Sequence, residues 1–377
     1  MSAHVRYLLF AMASGETSQA YALAKYIGES LRFPVTLLLK KDVTRGFFAD
    51  SKPSFPIYMA PTPELLAQYV EHEKPDVVVL CNSKSFRDEP SFWNAPKSLF
   101  PSCLVVTLDS NWLFLPTSTM YPFNRWADRY YVNIPRDVFQ AGLFEHGGMF
   151  DIPQSILSRI EPIGCIPAYR PIETRERSVM RQAIGVDSHE KLIFCYVSGF
   201  GAGSRSWVFD NLIHAVDELQ RSDVKMILFG DVTKIDIDVL KRKDVIIPPK
   251  TNMDAFYTAL SASDLVFQHQ GLATLEQAIS ARIPAIANVT RYPDDEYPDL
   301  HIGELQPFAK LGLCVLHNKT TPISKIASSI QTYLSDDAAI VTMRQKQEAH
   351  WSDGEKEMTS RIMRAHVARG YQKFHES

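Results

Sequence analysis

No stretch of this sequence stays apolar for the roughly 18 residues that a membrane span needs. Its apolar runs, such as Tyr7 to Ala13 and Val77 to Cys81, are far shorter. The first segment, His4 to Met12, lacks a basic region, a long apolar stretch and a small-residue cleavage site, so no secretory leader is expected and the chain reads as cytoplasmic. Neither sign of charge dominates: 40 Lys and Arg face 43 Asp and Glu, a net charge of −3, with no long block of one sign. That excludes a basic nucleic-acid binder. Cysteine is sparse; the five residues Cys81, Cys103, Cys165, Cys195 and Cys314 are odd in number, dispersed, and mostly set in apolar runs. This pattern predicts buried thiols rather than a disulfide framework or a zinc site. Internal repeats and low-complexity tracts are absent too, which excludes solenoids and arrays.

What is present is an ordinary globular composition, 45% hydrophobic and 22% charged over 377 residues, enough for two domains that each bury their own core. The N-terminal half alternates short apolar runs with helical stretches: Val5 to Ala13, Ser18 to Leu31, Val35 to Leu39, Glu64 to Glu73, Asp76 to Cys81 and Leu104 to Leu108. A second cycle runs through Leu192 to Ser198, Trp207 to Gln220, Val224 to Phe229, Val245 to Ile247, Met253 to Ser261, Leu265 to His269, Thr274 to Ala281 and Ala285 to Val289. Strands alternating with helices predict parallel sheets covered on both faces. The expected fold is therefore α/β, two doubly wound Rossmann-like lobes facing a central cleft. Between them Pro162 to Lys191, with Gly164, Pro167 and Pro171 followed by the charged run Glu173 to Arg177, has the composition of a linker. The predicted organisation is an N-terminal lobe over residues 1–168, a C-terminal lobe over 169–352, and a final amphipathic helix over 353–377 packing back on the N-terminal lobe.

Ligands of open parallel sheets bind at the carboxyl ends of the strands, where glycine-rich turns lead into helix N-termini that favour anions. One such turn is Ser198 to Ser204, in which Gly199, Gly201, Gly203 and Ser204 could bring backbone amides to a diphosphate; a flexible surface turn is the alternative. Its glycine spacing is not that of the dinucleotide fingerprint. The richest turn follows Asp264 to His269. There His269, the amides of Gly271, Leu272 and Ala273, and the Thr274 hydroxyl converge on one helix N-terminus, a suitable nest for phosphate. Read alone, the same residues are also a strand-end histidine and a helix-capping threonine.

The stretch Met253 to Ala285, with Ser-Ala-Ser-Asp-Leu-Val, then His-x-Gly-x-x-Thr-x-x-Gln-Ala and a closing Pro-Ala, resembles the donor-binding segment of GT-B glycosyltransferases, in particular the MurG-like branch. The branch's Gly-x-x-Thr-x-x-Glu run aligns with Gly271, Thr274 and Gln277, and its later proline with Pro284. Pro162 to Pro167 looks like the family's linker, Ser198 to Ser204 like its phosphate turn, and Ser14 to Thr17 like its first glycine turn. The resemblance is specific over residues 191–316 and loose elsewhere.

The resemblance implies an inverting, metal-independent transfer of a sugar from a nucleotide diphosphate sugar, UDP-linked, to an acceptor hydroxyl. No resident cofactor or metal is expected. The acceptor could be a lipid-linked sugar, a polysaccharide or a small metabolite, with peripheral membrane contact; the aromatic segment Trp112 to Tyr131 could wall an acceptor site, and could equally be core or a membrane-surface patch. Glu16, where many relatives have histidine, is one candidate base, with helix capping as its alternative; Asp109 is the second. The family's ribose-binding acid is replaced by Gln277, with Glu276 beside it, and Asp295 belongs to a stretch that in relatives touches the transferred sugar. Asp236 and Asp238 have metal-site spacing but lie in a polar stretch and read as surface. Other readings on the same fold are a nucleotide-sugar epimerase or hydrolase, and a non-catalytic nucleotide-binding homologue.

Overall fold

The computed structural model describes residues 5–11, 14–40, 53–81, 100, 102–109, 127–146, 158–167, 174–197, 206–249, 251–269, 271–289 and 300–375. The chain divides into two compact units, one comprising Met1–Ala168 with Ser352–Ser377, the other Tyr169–Trp351.

Unit 1 is built on β1 (Tyr7–Ala11), α1 (Ser14–Lys25, continued by a π-helical turn over Tyr26–Ser30), β2 (Val35–Leu39), β3 (Ile57–Met59), α2 (Pro63–Glu73), β4 (Val77–Cys81), β5 (Leu104–Asp109), β6 (Arg129–Val132), α3 (Arg136–His146) and β7 (Ile160–Pro162). The sheet is parallel throughout, in the order β3-β2-β1-β4-β5-β6-β7. Every residue of β1, β2, β4 and β5 is buried, the reason these strands read as unbroken apolar runs rather than alternating ones. α2 starts where Thr62 Oγ1 accepts the Leu65 amide at 3.4 Å with proline at the first helical position, and it stops at Lys74, which is left-handed with φ 47°.

The second unit contains α4 (Thr174–Ala183), β8 (Lys191–Tyr196), α5 (Trp207–Leu219), β9 (Val224–Phe229), α6 (Ile237–Leu240), β10 (Val245–Ile246), α7 (Met253–Ala262), β11 (Leu265–His269), α8 (Leu272–Ser280), β12 (Ala285–Val289), α9 (Leu300–Lys310), β13 (Val315–Asn318), α10 (Ile323–Ser335) and α11 (Asp337–Ala349). Its parallel sheet runs β10-β9-β8-β11-β12-β13. Helix α5 drives Val208, Phe209, Leu212, Ile213, Ala215 and Val216 into one core with β8, β9 and β11. Each of these apart from Ala215 contributes roughly 1.5–3 kcal/mol on burial. Of the charged stretch Glu173 to Arg177, read from composition as linker, residues 174–177 instead open α4. Asp236 caps α6 by accepting the Asp238 amide at 2.8 Å, and Asp238 lies 3.4 Å from Lys241; both are the exposed groups the sequence predicts.

The chain returns to unit 1 through α12 (Gly354–His375), whose Glu355, Met358, Thr359 and Ile362 are buried at helical spacing. Arg361 pairs with Glu161 at 2.6 Å and Glu357 at 2.7 Å, and the Tyr7 hydroxyl meets Met363 Sδ at 3.1 Å. Cys165 bridges Asp353 where the outgoing and returning segments run side by side. This crossing requires glycine: Gly164 has φ +97°, and a Cβ there would lie 2.0 Å from Ser352 Oγ.

All five cysteines are buried and outside any disulfide, as their dispersion predicts. Burial pushes the Cys195 thiol up and that of Cys314 up to about 12, so neither offers a thiolate nucleophile. Among the described residues no helix is long and apolar enough to cross a membrane.

Candidate functional site

In an open parallel sheet the strand order reverses at one point, and the crevice beyond the strand ends there is where ligands bind. In unit 2 that point lies between β8 and β11, the two strands flanked on one side by β9 and on the other by β12. Two helices start at the carboxyl ends of these strands, α5 after β8 and α8 after β11. Their first-turn amides lack side-chain caps: neither Ser206 nor Gly271 supplies one. Elsewhere in the unit Asp236, Asn252 and Asp336 cap α6, α7 and α11 with their side chains. The uncapped ends carry N–H groups and the positive end of a helix dipole, and so can receive an anion.

The floor between them is polar and buried. His269, the last residue of β11, is 1% exposed, and its ring stands at 80° to that of Trp207, centroids 6.2 Å apart. Gln268 Nε2 donates to the Gly271 carbonyl at 3.2 Å, which holds the turn between β11 and α8. Asn288 Nδ2 donates to the Gln268 carbonyl at 3.1 Å, which ties β12 to the same turn. Among the described residues, Gln268 Oε1 and Asn288 Oδ1 are buried acceptors with no donor, while Trp207 Nε1 and Asn211 Nδ2 are buried donors with no acceptor. The site therefore holds donors on α5 and acceptors at the ends of β11 and β12.

Two glycines here have opposite meanings. Gly230 follows β9 with φ +141°, and a Cβ on it would stand 2.3 Å from the Val197 carbonyl, so it is required by the fold just past the ends of β8 and β9. At Gly271 the backbone is extended, φ 165°, and among the described residues a Cβ would meet only the His269 carbonyl at 3.7 Å, an ordinary contact. None of the described residues requires glycine at 271.

Of the residues singled out in the sequence, His269, Gly271, Leu272, Ala273 and Thr274 are brought together at this turn. Thr274 is the third residue of α8 and does not cap it, because the N-cap position belongs to Gly271. Glu276 and Gln277 occupy the second turn, 1% and 7% exposed. Gly199, Gly201, Gly203, Ser204 and Asp295 lie outside the described residues. Asp264 serves the opposite end of the sheet: its carboxylate accepts the Leu192 amide at 2.8 Å and pairs with Arg177 at 2.8 Å and Arg181 at 3.1 Å. Gly230, Trp207, Gln268 and Asn288 were not singled out by sequence reasoning. Only Gly230 leaves a trace there, a glycine directly after an apolar run.

In unit 1, Asp109 ends β5, fully buried, and its carboxylate accepts the Tyr130 hydroxyl at 3.2 Å. Glu16 falls in the first turn of α1, and its side chain lies outside the described residues, as does the aromatic stretch 110–126. The strands leading to these two groups, β1 and β5, are separated by β4, so their ends stand about 10 Å apart across the sheet. The one group of candidate metal ligands among the described residues is Asp187, His189 and Glu190, at the opposite end of β8 from this turn. Glu190 there is engaged by Lys225 at 3.0 Å.

No protein-family model and no curated protein sequence matches this chain. Solved structures do. MurG of Acinetobacter baumannii superposes with a TM-score of 0.59 at 15% identity, covering 95% of this chain and 99% of that one. The glycosyltransferase SnogD of Streptomyces nogalater gives 0.59 at 13%, over 95% of this chain and 99% of its own. A putative UDP-N-acetylglucosamine 2-epimerase of Listeria monocytogenes gives 0.61 at 14%, over 96% and 95%. The chain has the two-lobe, Rossmann-like GT-B fold that these proteins share. At such identities the likeness is one of fold.

Proposed function

We propose that this protein is a glycosyltransferase that moves a sugar from a nucleoside diphosphate sugar, UDP-linked, to an acceptor hydroxyl. The observation that carries this reading is the pair of uncapped helix N-termini, α5 and α8, meeting over His269 at the β8/β11 switch point. An arrangement of this kind suits a leaving diphosphate. The amides of residues 271–274 and the His269 side chain would take up the charge that develops as the glycosidic oxygen departs, without a metal. A carboxylate of unit 1, Glu16 or Asp109, would take the proton of the acceptor hydroxyl as that oxygen attacks and inverts the anomeric carbon.

The test is the melting temperature with UDP, GDP, dTDP, CDP and ADP at equal concentration. A ligand at a hundred times its dissociation constant stabilises the native state by about 2.7 kcal/mol. One clear responder is expected, and His269→Ala should weaken its binding; no response from a folded sample removes the donor site. For the base, Glu16→Gln should leave that binding intact and slow donor turnover in an acceptor panel by about a hundredfold or more. Unchanged turnover transfers the role to Asp109, and Asp109→Asn then carries the loss.

A second reading, a UDP-sugar 2-epimerase, is favoured by the comparable superposition of the Listeria protein. It predicts consumption of the nucleotide sugar with no acceptor present.

A further inference from the structure

Helix α5 begins with Trp207, whose ring is packed in the core with Ile193, Cys195, Val197 and Phe267 and is 9% exposed. An indole has a single polar atom, a donor, and burying it without an acceptor costs about 1–3 kcal/mol. Trp207 Nε1 is buried in this way, with no partner among the described residues. The ring is confined from one side by this core and from the other by its edge-on contact with His269. Asn211, one turn along α5 and on the same face, presents Nδ2 under the same conditions. These are buried N–H groups at the uncapped start of a helix, beside a strand-end histidine, so the chemistry that would satisfy them is an anionic oxygen.

We propose that Trp207 is a ligand-binding residue whose indole N–H donates to a phosphoryl oxygen of the nucleoside diphosphate. The proposal rests on the donor site described above and adds a side chain to it that neither motif nor composition marks. Phosphate is preferred to a hydroxyl for this partner because an indole only donates, and a donor gains most from a charged acceptor. Hydroxyl groups of a ligand find their acceptors across the site, at Gln268 Oε1 and Asn288 Oδ1.

Trp207→Phe keeps an aromatic edge against His269 and deletes the N–H. With the nucleoside diphosphate that most stabilises the wild type in the panel of five, the variant should bind about tenfold or more weakly. Affinity for the corresponding nucleoside, which lacks phosphate, should be equal in the two proteins. Equal diphosphate affinity in wild type and variant overturns the role of Trp207 and leaves the donor site standing. Failure of the wild type to bind any of the five overturns both. If the variant does not fold, the wild type labelled with ¹⁵N-tryptophan answers the question. It has five indole N–H resonances, assigned by elimination with Trp93→Phe, Trp112→Phe, Trp126→Phe and Trp351→Phe. A downfield shift of the Trp207 signal with diphosphate but not with nucleoside supports the proposal, and an unmoved signal overturns it.

Discussion

Asp264→Ala is expected to destabilise unit 2 by about 3 kcal/mol, and to lower its melting temperature by roughly 10 °C, without changing nucleotide affinity in the fraction that remains folded. The carboxylate stands before β11 at the amino end of the sheet, where it accepts the Leu192 amide of β8 and pairs with Arg177 and Arg181 of α4. Arg181 carries this further, donating to the carbonyls of Ala262 at 2.9 Å, Asp187 at 3.1 Å and Glu190 at 2.6 Å. Removing Asp264 leaves two guanidinium groups close together and partly buried, with their common anion gone. Burial alone would push this carboxyl up; the Leu192 amide and the two arginines outweigh it and hold the group below the ordinary carboxylate value of 3.8. A group depressed in the folded state contributes stability that is fully present above its unfolded value and is lost as the pH falls through its folded one. Denaturant titrations should therefore find a constant gap between wild type and variant at neutral and mildly acidic pH, narrowing only as the pH drops below 3.8. A gap that is small and independent of pH would mean that α4 is held by other contacts.

The same network explains where the sequence was and was not legible. Strands buried on both faces announce themselves, and the runs Val35–Leu39, Val224–Phe229, Leu265–His269 and Ala285–Val289 coincide with β2, β9, β11 and β12. α4 was hidden because its charged residues look like linker; Arg177 and Arg181 are four apart, on one helical face, and their partner lies more than eighty residues away. β3 has only three residues, none of them fully buried, too short for a period, and β7 ends in the proline that suggested the linker. β6 lay at the end of an aromatic segment whose residues follow neither period, since Tyr130 and Tyr131 are both buried. In the site, the strand-turn-helix around His269 was legible because the chemistry and the local geometry occupy the same ten residues. Trp207, Gln268 and Asn288 were not, because an apolar-looking helix start and two amides acquire meaning only when parallel pairing sets β8, β11 and β12 side by side.

Gly271→Ala and Gly230→Ala should separate a glycine kept for the ligand from a glycine kept for the fold. At Gly230 a Cβ would drive into the Val197 carbonyl at 2.3 Å from a backbone with φ +141°, so alanine there should cost about 3 kcal/mol or more and cut the yield of folded protein. At Gly271 the backbone suits any residue and the nearest obstacle among the described residues is 3.7 Å away, so the variant should melt within about 1 kcal/mol of the wild type. The new methyl group would nevertheless stand beside the first-turn amides of α8, the proposed ligands of the anion. Nucleoside diphosphate affinity should fall at least about tenfold, the loss of one charge-assisted hydrogen bond or more. Calorimetric titration beside a melting curve reads both quantities on one sample. Should Gly271→Ala lose stability as Gly230→Ala does, the glycine serves the β11–α8 turn itself. Should it keep both stability and affinity, the amides of α8 are not ligands, and the proposed anion site is reduced to the start of α5.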